Sequence, residues 1–341
     1  VKHLVVGLGS IGRRHLDNLL AVCPAGEVRG VEPAAGPARA AAELGLQVWP
    51  DLDSGLKWRP DLIWICTPHR FHVPAALAAL EAGAHLFLEK PIAPSLAEAR
   101  PLLAAARRAG RMVWAACNLR YHPGPAAIKS GLEAGLIGRP FLVKAHYAYS
   151  MALWRPGRDY RATYSARAAE GGGILLDAIH ELDLLLWLAG PAAGAAGLVR
   201  HTGLLETDVE ELAGALVEHE SGLVSFLHLD ALRQDRSRGL EVEGASGSLI
   251  WRSRGKGREG IEVLRADSRG RESLFEAPDF EVNLMFQRQR DEVLARVEQG
   301  RADLASLEDG LRALALAEAI RRSSREGRRV EVEPAGPAGS V

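Results

Sequence analysis

The sequence predicts an α/β protein of two domains. A doubly wound parallel sheet comes first, followed by an α+β domain with a large, mostly antiparallel, open sheet. Three observations predict this. The first third of the chain alternates short apolar runs with helical patterns, which is how a parallel sheet with helices on both faces reads. After about residue 122 the rhythm changes to runs of strands set beside helices. The length, 341 residues, exceeds what one ordinary core organises. The expected domains are 1–122 and 123–332, with a disordered tail over 333–341.

In the first domain HLVV (3–6), VRGV (28–31), DLIWIC (61–66), HLFL (85–88) and MVWAA (112–116) read as buried strands with crossover helices between them. Ser95 and Glu98 form a capping box for one of these helices. Pro101 inside that helix removes a hydrogen bond, so a kink or a late start is expected. In the second domain 141–150 reads as a strand, 151–170 as a polar loop rich in Arg and Tyr, and roughly 172–189 as a helix. Strand-like runs follow near 197–205, 209–218, 222–230, 238–244, 247–252 and 260–264, with a hairpin turn at HESGL. Helical patterns return at 281–299 and 305–324. The tail, EPAGPAGSV, has no pattern that buries a face.

Composition narrows the partners. The chain is 47% hydrophobic and 25% charged, with a formal net charge of −1, so it is globular and nothing favours nucleic acid or an anionic membrane. Its most apolar segment is interrupted by Asp177, His180, Glu181 and Asp183 and makes a poor membrane span. Cys23, Cys66 and Cys117 have neither CxxC nor Cys/His ligand spacing. No metal site or disulfide framework is expected, and a reducing compartment fits. The chain opens on a strand pattern, so no leader peptide is expected and the cytoplasm is the expected location.

VVGLGSIGRRHL (5–16) carries the clearest chemistry. Gly7-x-Gly9-x-x-Gly12 follows a strand and opens a helix. Gly7 permits the tight turn, Gly9 lets a pyrophosphate approach the backbone, and Gly12 allows the helix to pack on the strand. The helix N-terminus adds amides and positive potential. An acid is expected about twenty positions on, and Glu32 in GVEP is there. It would accept from the adenosine ribose hydroxyl and repel a 2′-phosphate. No basic residue follows it, so NAD is the expected cofactor in preference to NADP. Ser10 and Ile11 lie within the same loop.

Two more stretches sit at carboxyl ends of strands, where open α/β sheets bind ligands. CTPHRFH (66–72) supplies Thr67, Pro68 and His72; LEKPI (88–92) supplies Glu89 and Lys90. In EGGGILLDAIHELDLLLWLAG (170–190), Asp177, His180 and Glu181 share one face at helical spacing, on an otherwise apolar helix. A histidine beside a carboxylate suits general acid/base work, since its unperturbed pKa of ~6.5 lies near working pH. The alternative is a first-turn salt bridge with a satisfied histidine. Neither a serine-nucleophile motif nor HExxH is present.

Taken together, GLGSIGRRHL, CTPHRFHVPAALAALEAGAHLFLEKPIA, GGGILLDAIHELD and the late LEDGLRALALAEAIRRS resemble the glucose–fructose oxidoreductase / inositol 2-dehydrogenase family of NAD(P)-dependent oxidoreductases, over nearly the whole chain. The resemblance implies that Lys90 contacts the nicotinamide ribose and the substrate hydroxyl, that the Lys90–Pro91 bond is cis, that His180 is the acid/base, and that Asp177 positions substrate or histidine. The family spaces this aspartate and histidine four apart; here they are three apart. NLRYHP (118–123) and WRPGRDYRATYSAR (154–167) resemble a subgroup associated with surface-sugar biosynthesis. Trp154, Arg155, Arg158, Tyr160, Arg161, Tyr164 and Arg167 would recognise an anionic sugar or sugar nucleotide, or else form a subunit-interface loop.

The expected activity is hydride transfer between nicotinamide and a hydroxyl or carbonyl carbon of a sugar, polyol or sugar derivative. The expected catalytic residues are Lys90, His180 and Asp177. Expected substrate contacts are Lys90, Asn118, Arg120, Trp154, Arg155, Tyr160, Asp177 and His180. The alternatives are a glycosidase that uses NAD transiently and a non-catalytic NAD/sugar sensor. Strands 209–218 and 222–230 are apolar on both faces, so a homodimer or homotetramer through the second sheet is expected.

Overall fold

A computed structural model describes residues 1–335. It divides into two compact units, 1–117 with 286–311, and 118–285 with 312–334. The return of 286–311 to the first unit is invisible in the sequence. Periodicity shows that a helix has an apolar face but not which core receives it.

The first unit holds β1 (His3–Val6), β2 (Val28–Val31), β3 (Val48–Trp49), β4 (Leu62–Ile65), β5 (His85–Leu88) and β6 (Val113–Ala115). They form one sheet in the order β3-β2-β1-β4-β5-β6, parallel throughout. The order reverses beside β1, which opens a crevice between β1 and β4 at their carboxyl ends. The crossover helices are α1 (Ser10–Leu20), α2 (Ala35–Ala42), α3 (Leu52–Leu56), α4 (His72–Glu81) and α5 (Leu96–Ala109). Strands β1, β4 and β5 are buried along their whole length, which is why they read as unbroken apolar runs.

The capping box is present, with the Ser95 hydroxyl accepting from the Glu98 amide at 3.3 Å and donating to the Glu98 carboxylate at 2.8 Å. Helix α5 therefore starts at Leu96, without a late start, and continues through Pro101. The short strand β3 went unread because two residues have no periodicity.

Helices α9 (Asn283–Glu298) and α10 (Ala305–Glu326) begin where the late helical patterns begin. In the first unit, the Phe286 ring of α9 lies 5.9 Å from His15. Arg290 donates to the Asn18 carbonyl at 2.5 Å. The Ser306 hydroxyl of α10 both accepts from and donates to the backbone of Ala115, at 3.0 Å each.

The second unit holds β7 (Pro140–Ala148), β8 (Ala192–Arg200), β9 (Leu212–His219), β10 (Val224–Asp230), β11 (Ser237–Gly244), β12 (Gly247–Lys256), β13 (Arg258–Asp267), β14 (Gly270–Glu281) and β15 (Val330–Glu331). They make a nine-stranded sheet in the order β14-β13-β12-β11-β7-β10-β9-β8-β15. Every pairing is antiparallel except β7 with β10. Strand β8 lies earlier than the run expected at 197–205. Strand β14, GRESLFEAPDFE, was missed because its side chains are mostly polar and exposed.

Helices α6 (Pro123–Glu133), α7 (Ile174–Asp177) and α8 (Ile179–Ala189), with α10 from Arg312 onward, belong to this unit. Val143, Ala145, Ala213, Val217, Leu227 and Leu229 are buried on one face of the sheet, and α8 buries Leu182, Leu184 and Leu185. The single helix expected over 172–189 is two helices, broken at Ala178 (φ −100°, ψ 30°). Residues 151–170 form a chain of 3₁₀ turns. Val332 still bonds to Ala193. From residue 336 onward, the expected disordered tail lies outside the described residues.

Candidate functional site

The glycine loop behaves as its spacing requires. Gly7 has φ +85°, and a Cβ there would lie 2.9 Å from the Thr67 nitrogen. A Cβ on Gly12 would lie 1.8 Å from the Gly7 carbonyl oxygen. The first turn of α1 is thus pressed onto the turn that follows β1, beside Cys66 at the end of β4. Gly9 is the opposite case: no atom lies within 4 Å of its missing Cβ, so its surface is open. Gly9 is also the N-cap of α1, which has no side-chain cap and no acid in its first turn. The orphan amides of that turn, Ser10 and Ile11 among them, fit a pyrophosphate.

Glu32 is nearly buried and fixed by the same loop. Its carboxylate accepts from the Leu8 amide at 2.7 Å and from the Ala34 amide at 2.9 Å. Two of its lone-pair positions remain for ribose hydroxyls. A 2′-phosphate there would face a carboxylate with no nearby cation in the following residues.

At the end of β5, Lys90 is half-buried, and the Lys90–Pro91 bond is cis. Glu89 points into the domain, where His15 Nε2 and the Glu89 carboxylate meet at 2.7 Å, both buried. The other Glu89 oxygen accepts from the Lys90 amide at 3.2 Å. Burial pushes the Glu89 carboxyl up, but the His15 hydrogen bond and charge, with Lys90, outweigh it and hold it below its usual range. His15 packs between Trp64 and Phe87, at 5.4 and 4.9 Å. His72 is buried with one ring nitrogen 2.9 Å from the Pro91 carbonyl and the other 2.8 Å from the Thr67 carbonyl. Burial pushes its pKa down, against the pull of those carbonyls. Glu89 and His72, expected as cofactor contacts, therefore act beneath the surface. They brace the turns that present Thr67, Pro68 and Lys90.

In the second unit Asp177 ends α7 and His180, half-buried, lies in the first turn of α8. The break at Ala178 means that helical spacing does not relate them, and the expected shared face is not a continuous helical one. Asp177 accepts from the Tyr164 hydroxyl at 3.1 Å and the Ser165 hydroxyl at 3.2 Å. The Asp177 charge, and then burial, push the Tyr164 pKa up. The glycine run explains the approach: a Cβ on Gly172 would lie 2.4 Å from the Ser165 carbonyl oxygen. Ser165 was missed by sequence reasoning, since a hydroxyl in an irregular loop leaves no periodic signal.

Glu181 and Asp183 belong to structural ion pairs. Arg238 meets Glu181 at 2.6 Å, and Arg120 grips Asp183 with two bonds, at 3.0 and 2.5 Å. Arg120, expected to touch substrate, thus has a bidentate partner of its own and lies over the Trp187 ring at 5.7 Å. The Trp154 indole donates to the Tyr149 carbonyl at 2.9 Å, Arg155 stacks over Tyr164 at 5.4 Å, and the Tyr160 hydroxyl accepts from the Glu206 amide at 3.1 Å. Arg161 pairs with Asp159 and Glu206, and Arg167 with Glu170. Much of the loop's charge is satisfied within the loop. Asn118 differs: it is buried and its Oδ1 has no partner among the described residues.

These features, a dinucleotide crevice in one unit and a polar helix end in the other, define a class of nicotinamide-nucleotide oxidoreductases. Residues 1–117 match the model of an oxidoreductase family's NAD-binding Rossmann fold, and residues 129–332 match that family's C-terminal alpha/beta domain. The chain belongs to this family, the GFO/IDH/MocA oxidoreductases, and its first domain binds NAD. Among curated relatives it is 30% identical to the 1,5-anhydro-D-fructose reductase of Ensifer adhaerens over 57% of each chain. It is 28% identical to the D-apiose dehydrogenase of Paraburkholderia graminis over 97% of this chain and 90% of that one. A solved levoglucosan dehydrogenase, in complex with NADH and levoglucosan, superposes with a TM-score of 0.84 at 20% identity, covering 97% of this chain and 99% of that one. The fold class, family and cofactor read from the sequence are borne out.

Two outcomes follow from this geometry. NAD(H) binds more tightly than NADP(H), and Glu32→Ala narrows the gap; titrating both cofactors into each protein measures it, and tighter NADP(H) binding by the unaltered chain contradicts it. Arg120→Ala destabilises the fold by about 3–5 kcal/mol, because it strands a buried carboxylate. Denaturant unfolding reads this directly; unchanged stability with a raised KM returns Arg120 to substrate binding.

Proposed function

We propose that the chain is a dehydrogenase or reductase acting on a sugar, polyol or sugar derivative, with Lys90 and His180 serving the reacting hydroxyl. The observation that supports it most is the bracing of the Lys90 turn. A lysine at a strand end is commonly a solvated surface group. This one sits on a turn held by the buried His15–Glu89 pair and by His72, at the carboxyl end of β5, the neighbour of β4 in the sheet.

Gly7, Gly9, Ser10, Ile11, Gly12 and Glu32 would hold the dinucleotide. When bound, its nicotinamide accepts or gives hydride. The ammonium of Lys90 donates to the substrate oxygen and stabilises the negative charge that develops there. The imidazole of His180 takes the hydroxyl proton in oxidation and returns it in reduction. Asp177, oriented by Tyr164 and Ser165, positions substrate or histidine, and the buried Oδ1 of Asn118 is a ready acceptor for a substrate hydroxyl. The curated relatives named above act, by their names, on sugars, which supports the substrate class. A screen of sugars, uronates and nucleotide sugars in both directions, followed by nicotinamide absorbance, tests the reading. Release of a sugar without net change in NADH would favour transient redox instead.

We propose further that the chain is a homo-oligomer, dimer or tetramer, through the uncovered face of the nine-stranded sheet. Leu198 and Phe226 are 50% and 46% exposed. The register places Leu198 beside Gly214, and Leu216 beside both Ala196 and Phe226, on one face. A second copy of this chain would bury that stripe. Among the described residues no helix is long and apolar enough to cross a membrane, and three cysteines without ligand or disulfide spacing support the cytoplasm as its compartment.

His180→Ala slows hydride transfer by ~10²–10⁴-fold, Lys90→Ala slows it more, and neither weakens NADH binding appreciably. Lys90→Arg does not restore the rate, since a guanidinium is broader and planar. The double variant loses less than the product of the two singles. Single-turnover kinetics with a saturating sugar, with NADH affinity measured separately, decide this; near-normal transfer in His180→Ala removes its role. Light scattering of the intact chain reports dimer or tetramer, and Phe226→Glu shifts it toward monomer; a monomer at micromolar concentration refutes the interface.

A further inference from the structure

The connection between β8 and β9, residues 201–211, carries an acid at every second position over Glu206, Asp208 and Glu210. The partners of this stretch alternate, as those of an extended chain do. Thr207, Val209 and Glu211 turn inward. Val209 is buried, and the fully buried Glu211 carboxylate accepts from the Thr202 amide at 2.6 Å and from the Thr202 and Thr207 hydroxyls at 3.2 Å each. The other three meet the loop that leads to α7. Glu206 pairs with Arg161 at 3.1 Å, and its amide donates to the Tyr160 hydroxyl at 3.1 Å. Asp208 accepts from the Ala168 amide at 2.6 Å, and its own amide donates to the Ala166 carbonyl at 3.3 Å. The Glu210 carbonyl accepts from the Ile174 amide at 3.1 Å.

Glu210 thus grips the entry of α7. Gly173 precedes that helix with φ +114°, a backbone region open to glycine, and it gives α7 no side-chain cap. Four helical residues cannot fix their own direction, so α7 points where its entry is held. On one side the Gly173 amide donates to the Ser165 carbonyl at 3.1 Å. On the other stands Glu210. A Cβ on Gly173 would lie 2.5 Å from a Glu210 carboxylate oxygen, so the carboxylate covers the bare Cα. Arg321 of α10 fixes that carboxylate at 2.6 Å. Asp177 lies one turn further on, its amide donating to the Gly173 carbonyl at 3.0 Å.

We propose that Glu210 is a positioning residue for Asp177, a role that rests on Asp177 serving the reaction proposed above. Clamped by Arg321, Glu210 holds Gly173 and Ile174 in place. Asp177 then stays against the hydroxyls of Tyr164 and Ser165.

The test reads the contact between Tyr164 and Asp177. The Asp177 charge pushes the Tyr164 pKa up and burial adds to it, while Arg155 and the Ser165 hydroxyl pull the other way. 3-Fluorotyrosine, a more acidic phenol, is placed at position 164 alone. Fluorine NMR follows its ionisation in the full chain saturated with NADH, and Asp177→Asn gives the value without the charge. Glu210→Ala lowers the ionisation pH by about one pH unit toward that value. It slows turnover of the sugar that the screen above identifies by about ten- to a hundredfold and leaves NADH affinity unchanged. Glu210→Gln keeps the shape and retains more of both than Glu210→Ala. Arg321→Met frees the carboxylate, shifts both in the same direction, and is the second variant if Glu210→Ala does not fold. An unchanged ionisation pH in Glu210→Ala and Arg321→Met overturns the proposal, whether or not turnover falls. Asp177→Asn with unaltered turnover overturns the role of Asp177 in the reaction, and this proposal with it.

Discussion

Two missing β-carbons organise the first domain. Helix α1 reaches its position only because Gly12 has no side chain to strike the Gly7 carbonyl, and Gly7 turns only because nothing projects toward Thr67. The same closeness brings β1, α1 and the β4 turn to one crevice. It aims the uncapped amides of α1 at the open surface of Gly9, and it places the Leu8 amide where Glu32 can hold it. The helix register then sets His15 under the sheet, against Glu89. The turn that carries Lys90 is thus fixed from below by a residue that belongs to the glycine motif's own helix. The glycine loop and the Lys90 turn share one support.

The second domain solves a related problem with different means. Its polar helix end is rich in carboxylates, and most of them are neutralised by arginines from elsewhere in the domain: Asp183 by Arg120, Glu181 by Arg238. Asp177 is held instead by two neutral hydroxyls, from Tyr164 and Ser165. A carboxylate oriented by hydroxyls keeps its charge for a neighbour, whereas one gripped by a guanidinium does not. The break at Ala178 separates the two behaviours along the chain.

The sequence was most legible where one local rule determined the outcome. The glycine spacing, the buried parallel strands and the Ser95 cap are each set by a few adjacent residues, and each stands where the sequence placed it. The misreadings share a cause, which is distant partners. The pairing of Arg120 with Asp183 was unreadable because the two lie too far apart in sequence. Asp177, His180 and Glu181 looked like one face because nothing in ILLDAIHELD signals a break at Ala178. Glu89 and His72 sit within motifs at the carboxyl ends of strands, yet their side chains turn inward to His15, Thr67 and Pro91. Strand β14 has no apolar alternation; it pairs with β13 through its backbone.

The central claim is that the same backbone contact builds the fold of the first domain and its cofactor site. Gly12→Ala tests it most directly, with the NADH dissociation constant and the unfolding free energy measured on one preparation. A Cβ 1.8 Å from the Gly7 oxygen must push α1 away. The account predicts a loss of stability of at least about 1–3 kcal/mol, as for other overpacked sites, together with NADH affinity reduced by more than about tenfold, since the amides of α1 lose their aim. Wild-type NADH affinity in a Gly12→Ala protein of unchanged stability would contradict it.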